Sequence, residues 1–176
     1  MQTNPRHSPA CLFTNSMNYI ISIERSVKWH DFAELIQAVG WGVGCDQSAF
    51  DRSSSAYPLV AHASGFDGQL LGYVSALIDG VYSTMLGELI VRPTHQRMGI
   101  GRALLAQVEA TYPNVPIYVK ALGSAKLFFE SCGYRRPASE MTVLYKKNTL
   151  IDFRHARYLM SIQKIQLLLF ANRIHR

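Results

Sequence analysis

The heptapeptide Gln96-Arg97-Met98-Gly99-Ile100-Gly101-Arg102 stands directly after the apolar run Glu88–Val91 and directly before a helical pattern. A helix start leaves backbone N–H groups without partners and carries a partial positive charge, so it can take the oxygens of a pyrophosphate. Gly99 and Gly101 let the backbone approach those oxygens with no Cβ in the way. The amides of the whole segment are therefore candidate anion ligands. The side chains of Arg97 and Arg102 are candidates as well, with a solvated surface role as the alternative for each. Standing alone, Gly-x-Gly is also an ordinary strand-to-helix turn. The dinucleotide fingerprint needs three glycines and a later acidic residue, and the P-loop needs Gly-Lys-Ser/Thr; the segment has neither pattern.

The elements that must position this loop follow from hydrophobic spacing. Leu104, Val108 and Tyr112, with Gly101 and Leu105 beside them, trace a helix that Pro113 ends. Upstream, Tyr57–Ala63, Leu70–Ile78 and Thr84–Val91 read as strands separated by turns at Gly65–Gly68 and Asp79-Gly80, most simply antiparallel neighbours. Tyr19–Ile23 is a further short strand, and Phe32, Leu35, Ile36 and Val39 share one helical face that Gly40 closes. Trp41–Ser55 reads as loop or short helix. Downstream, Pro116–Ala121 is a strand. Ser124 is placed to cap a helix whose Ala125, Phe128, Phe129 and Cys132 share a face before Gly133, and Met141–Lys146 is a last strand. The order predicts an α/β (α+β) fold: a mixed sheet of about six to seven strands flanked by helices, plus an extra C-terminal helix.

Composition bounds the function. At 176 residues the chain suits one domain, and no apolar run approaches the ~18 residues of a membrane span, so a soluble protein is expected. Of the formal charge of +6, +4 falls after residue 147, on Arg154, Arg157, Lys164, Arg173 and Arg176 against Asp152. No basic stripe interleaved with aromatics marks a nucleic-acid surface on the remainder. Cys11, Cys45 and Cys132 are odd in number and widely spaced, which suits neither a disulfide framework nor a metal site. A reducing, cytoplasmic setting and no metal are expected. Residues 1–17 read as a disordered segment with Met17 as an alternative start, and 18–147 as the domain. Residues 148–176 read as a basic amphipathic extension with Tyr158, Ile162, Ile165 and Leu169 at helical spacing, suited to a partner or membrane surface or to packing on the domain.

The chain resembles the Gcn5-related N-acetyltransferases (GNAT), whose central motif is Gln/Arg-x-x-Gly-x-Gly/Ala after a strand. The match runs through Ser75–Tyr82, Gly87–Pro93, the loop itself, Leu104-Leu105, Phe128–Tyr134 and Ala38–Trp41. Gly40-Trp41 and Asp79-Gly80-Val81-Tyr82 look closest to small bacterial-type acetyltransferases and to the plastid arylalkylamine and lysine acetyltransferases of plants.

The resemblance implies the acyl-CoA N-acyltransferase fold, with a split between neighbouring parallel strands ending near Val91 and Ala121 that receives the pantetheine arm of acetyl-CoA. Backbone groups at Ile90 and Val91 would hold that arm, and Gln96 to Arg102 the pyrophosphate. The acceptor would be a small-molecule or peptide amine; a homodimer is compatible with the family. An alkylamine with a pKa of about 10 must lose a proton before it attacks, and Glu88 is the candidate base, the alternatives being a solvent-facing carboxylate or an ion pair. His62 and His95 are weaker candidates.

Two departures stand out. Relatives carry Tyr in the Phe-Tyr pair of the last helix as general acid, where this chain has Phe128-Phe129. Phe129 becomes core or pantetheine-wall packing, and Tyr82, Tyr118 and Tyr134 are substitute hydroxyls to consider. Relatives also tend to have Asn or Asp where Leu122 stands. A thiolate with a pKa near 8.5 can leave unassisted, so these changes slow transfer rather than forbid it. The competing function is a non-catalytic acyl-CoA-binding regulatory module.

Overall fold

A computed structural model describes residues 18–41 and 46–139 together with Thr142 and Leu144. Five strands form one sheet in the order β1-β2-β3-β4-β5, over Tyr19–Ser22, Leu59–Gly65, Leu70–Ile78, Thr84–Val91 and Ile117–Tyr118. The first four are antiparallel neighbours, and β5 joins β4 in parallel. The sheet is mixed, as expected. Its described strands are fewer than the six to seven anticipated, and the strand expected over Met141–Lys146 lies almost wholly outside the described residues. So do residues 1–17 and the extension 148–176.

Helices cover both faces. On one side lies α3, Ile100–Thr111, whose Ile100, Leu104, Leu105 and Val108 repeat at helical spacing and are all buried. They pack on Leu59, Ala61, Ala63, Val74, Ala76 and Leu86, which strand alternation turns to that face, and on Leu71, which reaches it at the register shift opposite Ala63 and Ser64. Burying each large side chain stabilises the fold by roughly 1.5–3 kcal/mol. Pro113 lies two residues beyond the end of α3, consistent with its incompatibility with a continuing helix.

On the opposite face lie α1, Trp29–Ala38, and α2, Gln47–Ala56. Phe32, Leu35, Ile36 and Phe50 pack there against Val60, Leu70, Tyr73 and Ile90. Phe32 stacks at 4.4 Å from Phe50 and meets Tyr73 edge-on at 4.9 Å. Helix α2 occupies much of the segment expected as loop or short helix. Asp46 starts it by accepting the Ala49 N–H at 2.7 Å, a cap that a weak apolar pattern conceals.

The last helix, α4, spans Ala125–Ser131. Ser124 occupies its cap position but its side chain makes no cap bond, a departure from expectation. The helix closes as anticipated at Gly133: Gly133 N–H donates to the Glu130 carbonyl and Tyr134 N–H to that of Phe129, both typical of a helix C-terminus. Strand β5 is only two residues long, because past Tyr118 the chain leaves β4 instead of continuing to Ala121.

Candidate active site

Two features of β4 build the site. The first is its edge toward β5. Pairing there stops at Thr84↔Ile117 and Met85↔Tyr118, so beyond Met85 that edge has no ladder partner among the described residues. On the other edge Ile90 and Val91 pair with Tyr73 and Gly72 of β3. The Ile90 side chain is 2% exposed in the α1–α2 core, so only its backbone is available to a ligand. Val91 is half-buried, and its carbonyl accepts a bond from Gln96 Nε2 at 3.2 Å. That bond turns the Gln96 side chain back onto the strand and leaves its role at the loop structural.

The second feature is a bulge. Val74 pairs with Leu89 but Ala76 pairs with Leu86, so Gly87 and Glu88 together oppose Ser75. A Cβ on Gly87 would lie 2.5 Å from Ser75 Oγ and 2.7 Å from the Tyr57 ring. Only glycine fits. Glu88, half-buried, receives hydrogen bonds from Ser75 Oγ at Oε2 and from Tyr57 Oη at Oε1, the latter at 3.4 Å, while Ser75 Oγ accepts the Glu88 N–H at 3.0 Å. Burial, and then the charge of Glu88, pushes the Tyr57 phenol up, so it stays a donor. The same two causes raise Tyr73, where proximity to Tyr57 adds to them.

After β4, a short 3-10 turn at Pro93–His95 leads into the loop. Arg97 has φ 64 and Gly99 φ 84, so two left-handed residues stand one apart just before α3. Such a turn draws successive amides toward one point, where an anion can sit. For Arg97 the conformation costs on the order of 1 kcal/mol, the kind of strain that persists where surroundings or function demand it. The bond from the Ala103 N–H to the Gly99 carbonyl, 2.9 Å, opens the helix ladder. The amides of Arg97 to Arg102 have no backbone acceptor among the described residues. Arg97, Met98 and Gly99 are exposed, while the Ile100 side chain is buried under the sheet-facing side of α3.

The remaining predicted residues take varied places. Arg102 reaches the end of α4, its guanidinium donating to the Ser131 carbonyl at 3.0 Å, where a cation complements the helix dipole. Phe129 is 8% exposed, packed edge-on to Phe128 and Tyr134 in the α3-side core, so it is a core residue first. Phe128 instead approaches the loop, 3.3 Å from where a Cβ on Gly101 would stand. His62 has a buried, unpartnered Nδ1, and burial lowers its pKa. His95 bonds Thr94 at 2.9 Å. Tyr134 donates to Glu109 at 3.2 Å, and Tyr82 is 80% exposed.

Ser75 and Tyr57 were absent from the expected site. A lone polar residue inside the apolar strand Leu70–Ile78, and a glycine inside Thr84–Val91, are signals that could have found the bulge and its filler. Tyr57 has no such signal. Among the described residues no group of His, Cys, Asp and Glu gathers to hold a metal, and no helix is long and apolar enough to cross a membrane.

Residues 55–136, from the end of α2 through α4, match the family model of the acetyltransferase (GNAT) domain. No curated protein matches the chain in sequence. Among solved structures, a GNAT-family acetyltransferase from Streptococcus pneumoniae TIGR4 is 24% identical with TM-score 0.58, covering 73% of this chain and 99% of that one. Glucosamine-6-phosphate N-acetyltransferase from Arabidopsis thaliana is 14% identical with TM-score 0.56, covering 73% and 99%. AAC(6')-Iy in complex with the bisubstrate analogue CoA-S-monomethyl-acetylneamine is 15% identical with TM-score 0.59, covering 74% and 98%. At these identities the likeness is one of fold.

Proposed function

We propose that this chain, an acyltransferase belonging to the GNAT superfamily, moves acetyl from acetyl-CoA to a primary amine by direct attack within a ternary complex. The observation that carries this reading is the adjacency on β4 of an unpaired strand edge, a carboxylate on a bulge and a loop of free amides. Ile90 and Val91 offer backbone groups to the pantetheine by strand-like pairing, and the residues Arg97 to Arg102 offer their amides to the pyrophosphate, with Gln96 tying the start of the loop to the strand. Phe128, beside Gly101, is the aromatic wall at that end, in place of the more deeply buried Phe129.

Acetyl-CoA supplies the activated acyl carbon. Glu88 accepts the proton that the ammonium loses, directly or through water, and the neutral nitrogen then bonds to the thioester carbon as the C–S bond breaks. The electron pair leaves on sulfur, and the acylated nitrogen gives its second proton to water as the amide forms. With phenylalanine at 128 and 129, the thiolate leaves unprotonated or takes its proton from water, which a thiol pKa near 8.5 permits. The acceptor is a small amine or a lysine or peptide amine, and the widely spaced cysteines support a cytoplasmic setting.

Incubating the full chain with acetyl-CoA and a panel of arylalkylamines, polyamines, aminoglycosides and lysine peptides tests this, with free CoA as the readout. Turnover on at least one amine is expected. Tight CoA binding with no turnover on any of them would overturn it in favour of a binding module.

A further inference from the structure

Both oxygens of the Glu88 carboxylate are engaged by neutral donors. Ser75, wholly buried on β3, stands opposite the bulge, so the Glu88 N–H lacks a ladder carbonyl and turns to Ser75 Oγ instead, at 3.0 Å. Having accepted there, the hydroxyl directs its proton to Glu88 Oε2. Tyr57, just beyond α2, donates to Oε1 from the far side. Its ring occupies the space that Gly87 leaves vacant. The titratable groups facing the carboxylate are the phenols of Tyr57 and, on β3, Tyr73; among the described residues no cation is paired with it.

Two anchored side chains set the direction of the half-buried carboxylate, one from the sheet beside it and one from the ring that fills the space at Gly87. Each carboxylate oxygen keeps a second lone-pair direction, so the two bonds orient the group without closing it to an incoming proton.

We infer that Ser75 and Tyr57 are positioning residues for the proton-accepting step: together they hold the Glu88 carboxylate fixed in direction on the β4 bulge. The inference rests on Glu88 acting as base in the proposed reaction.

Its test reads the carboxyl group directly, so it does not depend on turnover. Crystal structures of the full chain and of two variants give the direction of the Glu88 carboxylate. Tyr57→Phe keeps the ring against Gly87 and deletes one donor; Ser75→Ala deletes the other. In each variant the carboxylate is expected to rotate from its parent direction or to occupy two conformers, with kcat falling by about tenfold and KM for acetyl-CoA unchanged. A carboxylate held in the parent direction in Tyr57→Phe overturns the role of Tyr57, and the same result in Ser75→Ala overturns that of Ser75. If Ser75→Ala does not fold, Tyr57→Phe decides the inference. A displaced carboxylate in a chain that turns over no amine leaves the positioning intact and removes the acetyl-transfer reading; normal turnover with an unmoved carboxylate does the reverse.

Discussion

At Glu88 the bulge takes the backbone N–H out of the sheet and Ser75 Oγ accepts it, while the carboxylate receives Ser75 and Tyr57. Glu88→Gln preserves size and most hydrogen-bonding capacity but cannot accept a proton. It is expected to lower kcat/KM by about 10²–10⁴-fold near neutral pH. The deficit should shrink as pH approaches the amine pKa, where the acceptor arrives already neutral, and a pH–rate profile of parent and variant checks it. Asp79 shows the opposite use of a carboxylate. Its Oδ1 accepts the N–H groups of Ser83, Val81 and Tyr82 at 3.0, 2.9 and 2.8 Å, and these bonds hold its pKa at about 2, below the usual carboxylate range. Because the folded value is the lower one, the contribution to stability is complete above about pH 4 and is lost as pH falls toward 2. Asp79→Ala should therefore melt below the parent at pH 6, with the gap closing as thermal scans are taken to acid pH.

At the scale of elements, the turn from β4 into α3 places two demands on the backbone. Gly99 is left-handed, a conformation that costs an L-residue roughly 1–2 kcal/mol. Gly99→Ala should lower stability by about that amount, and, if the loop relaxes to relieve it, weaken CoA binding about tenfold by calorimetry. On β4, Gly87→Ala sets a methyl against Ser75 Oγ and the Tyr57 ring, an overpacking that should cost about 1–3 kcal/mol in urea unfolding. The first substitution should act chiefly on cofactor binding and the second on the setting of Glu88, which separates the loop from the bulge.

At the scale of the molecule, the two cores meet across the sheet. The α3-side cluster underlies the loop Gln96–Arg102, and the α1–α2 cluster, with its aromatic residues, underlies the strand that carries Glu88. Leu104, wholly buried between α3 and the sheet, holds the loop only indirectly. Leu104→Ala should destabilise the domain by about 2–5 kcal/mol by chemical denaturation, with excess CoA restoring part of the midpoint by mass action.

What the residues alone determined was local. The loop Gln96–Arg102, the apolar stripes of α1 and α3, the closing glycines and the strands Leu70–Ile78 and Thr84–Val91 were legible because each depends on neighbours within one or two turns or along one strand. Helix α2 was half-hidden, since its face buries Phe50 alone and its Asp46 cap carries the signal. The tertiary structure decided which side chains meet. Glu88 finds Ser75 across 13 positions and Tyr57 across 31, and Arg102 finds the end of α4 across 29. No periodicity encodes such pairs. They follow from strand register, where one extra residue at the bulge decides which groups face Ser75, and from helices that dock only once the sheet exists.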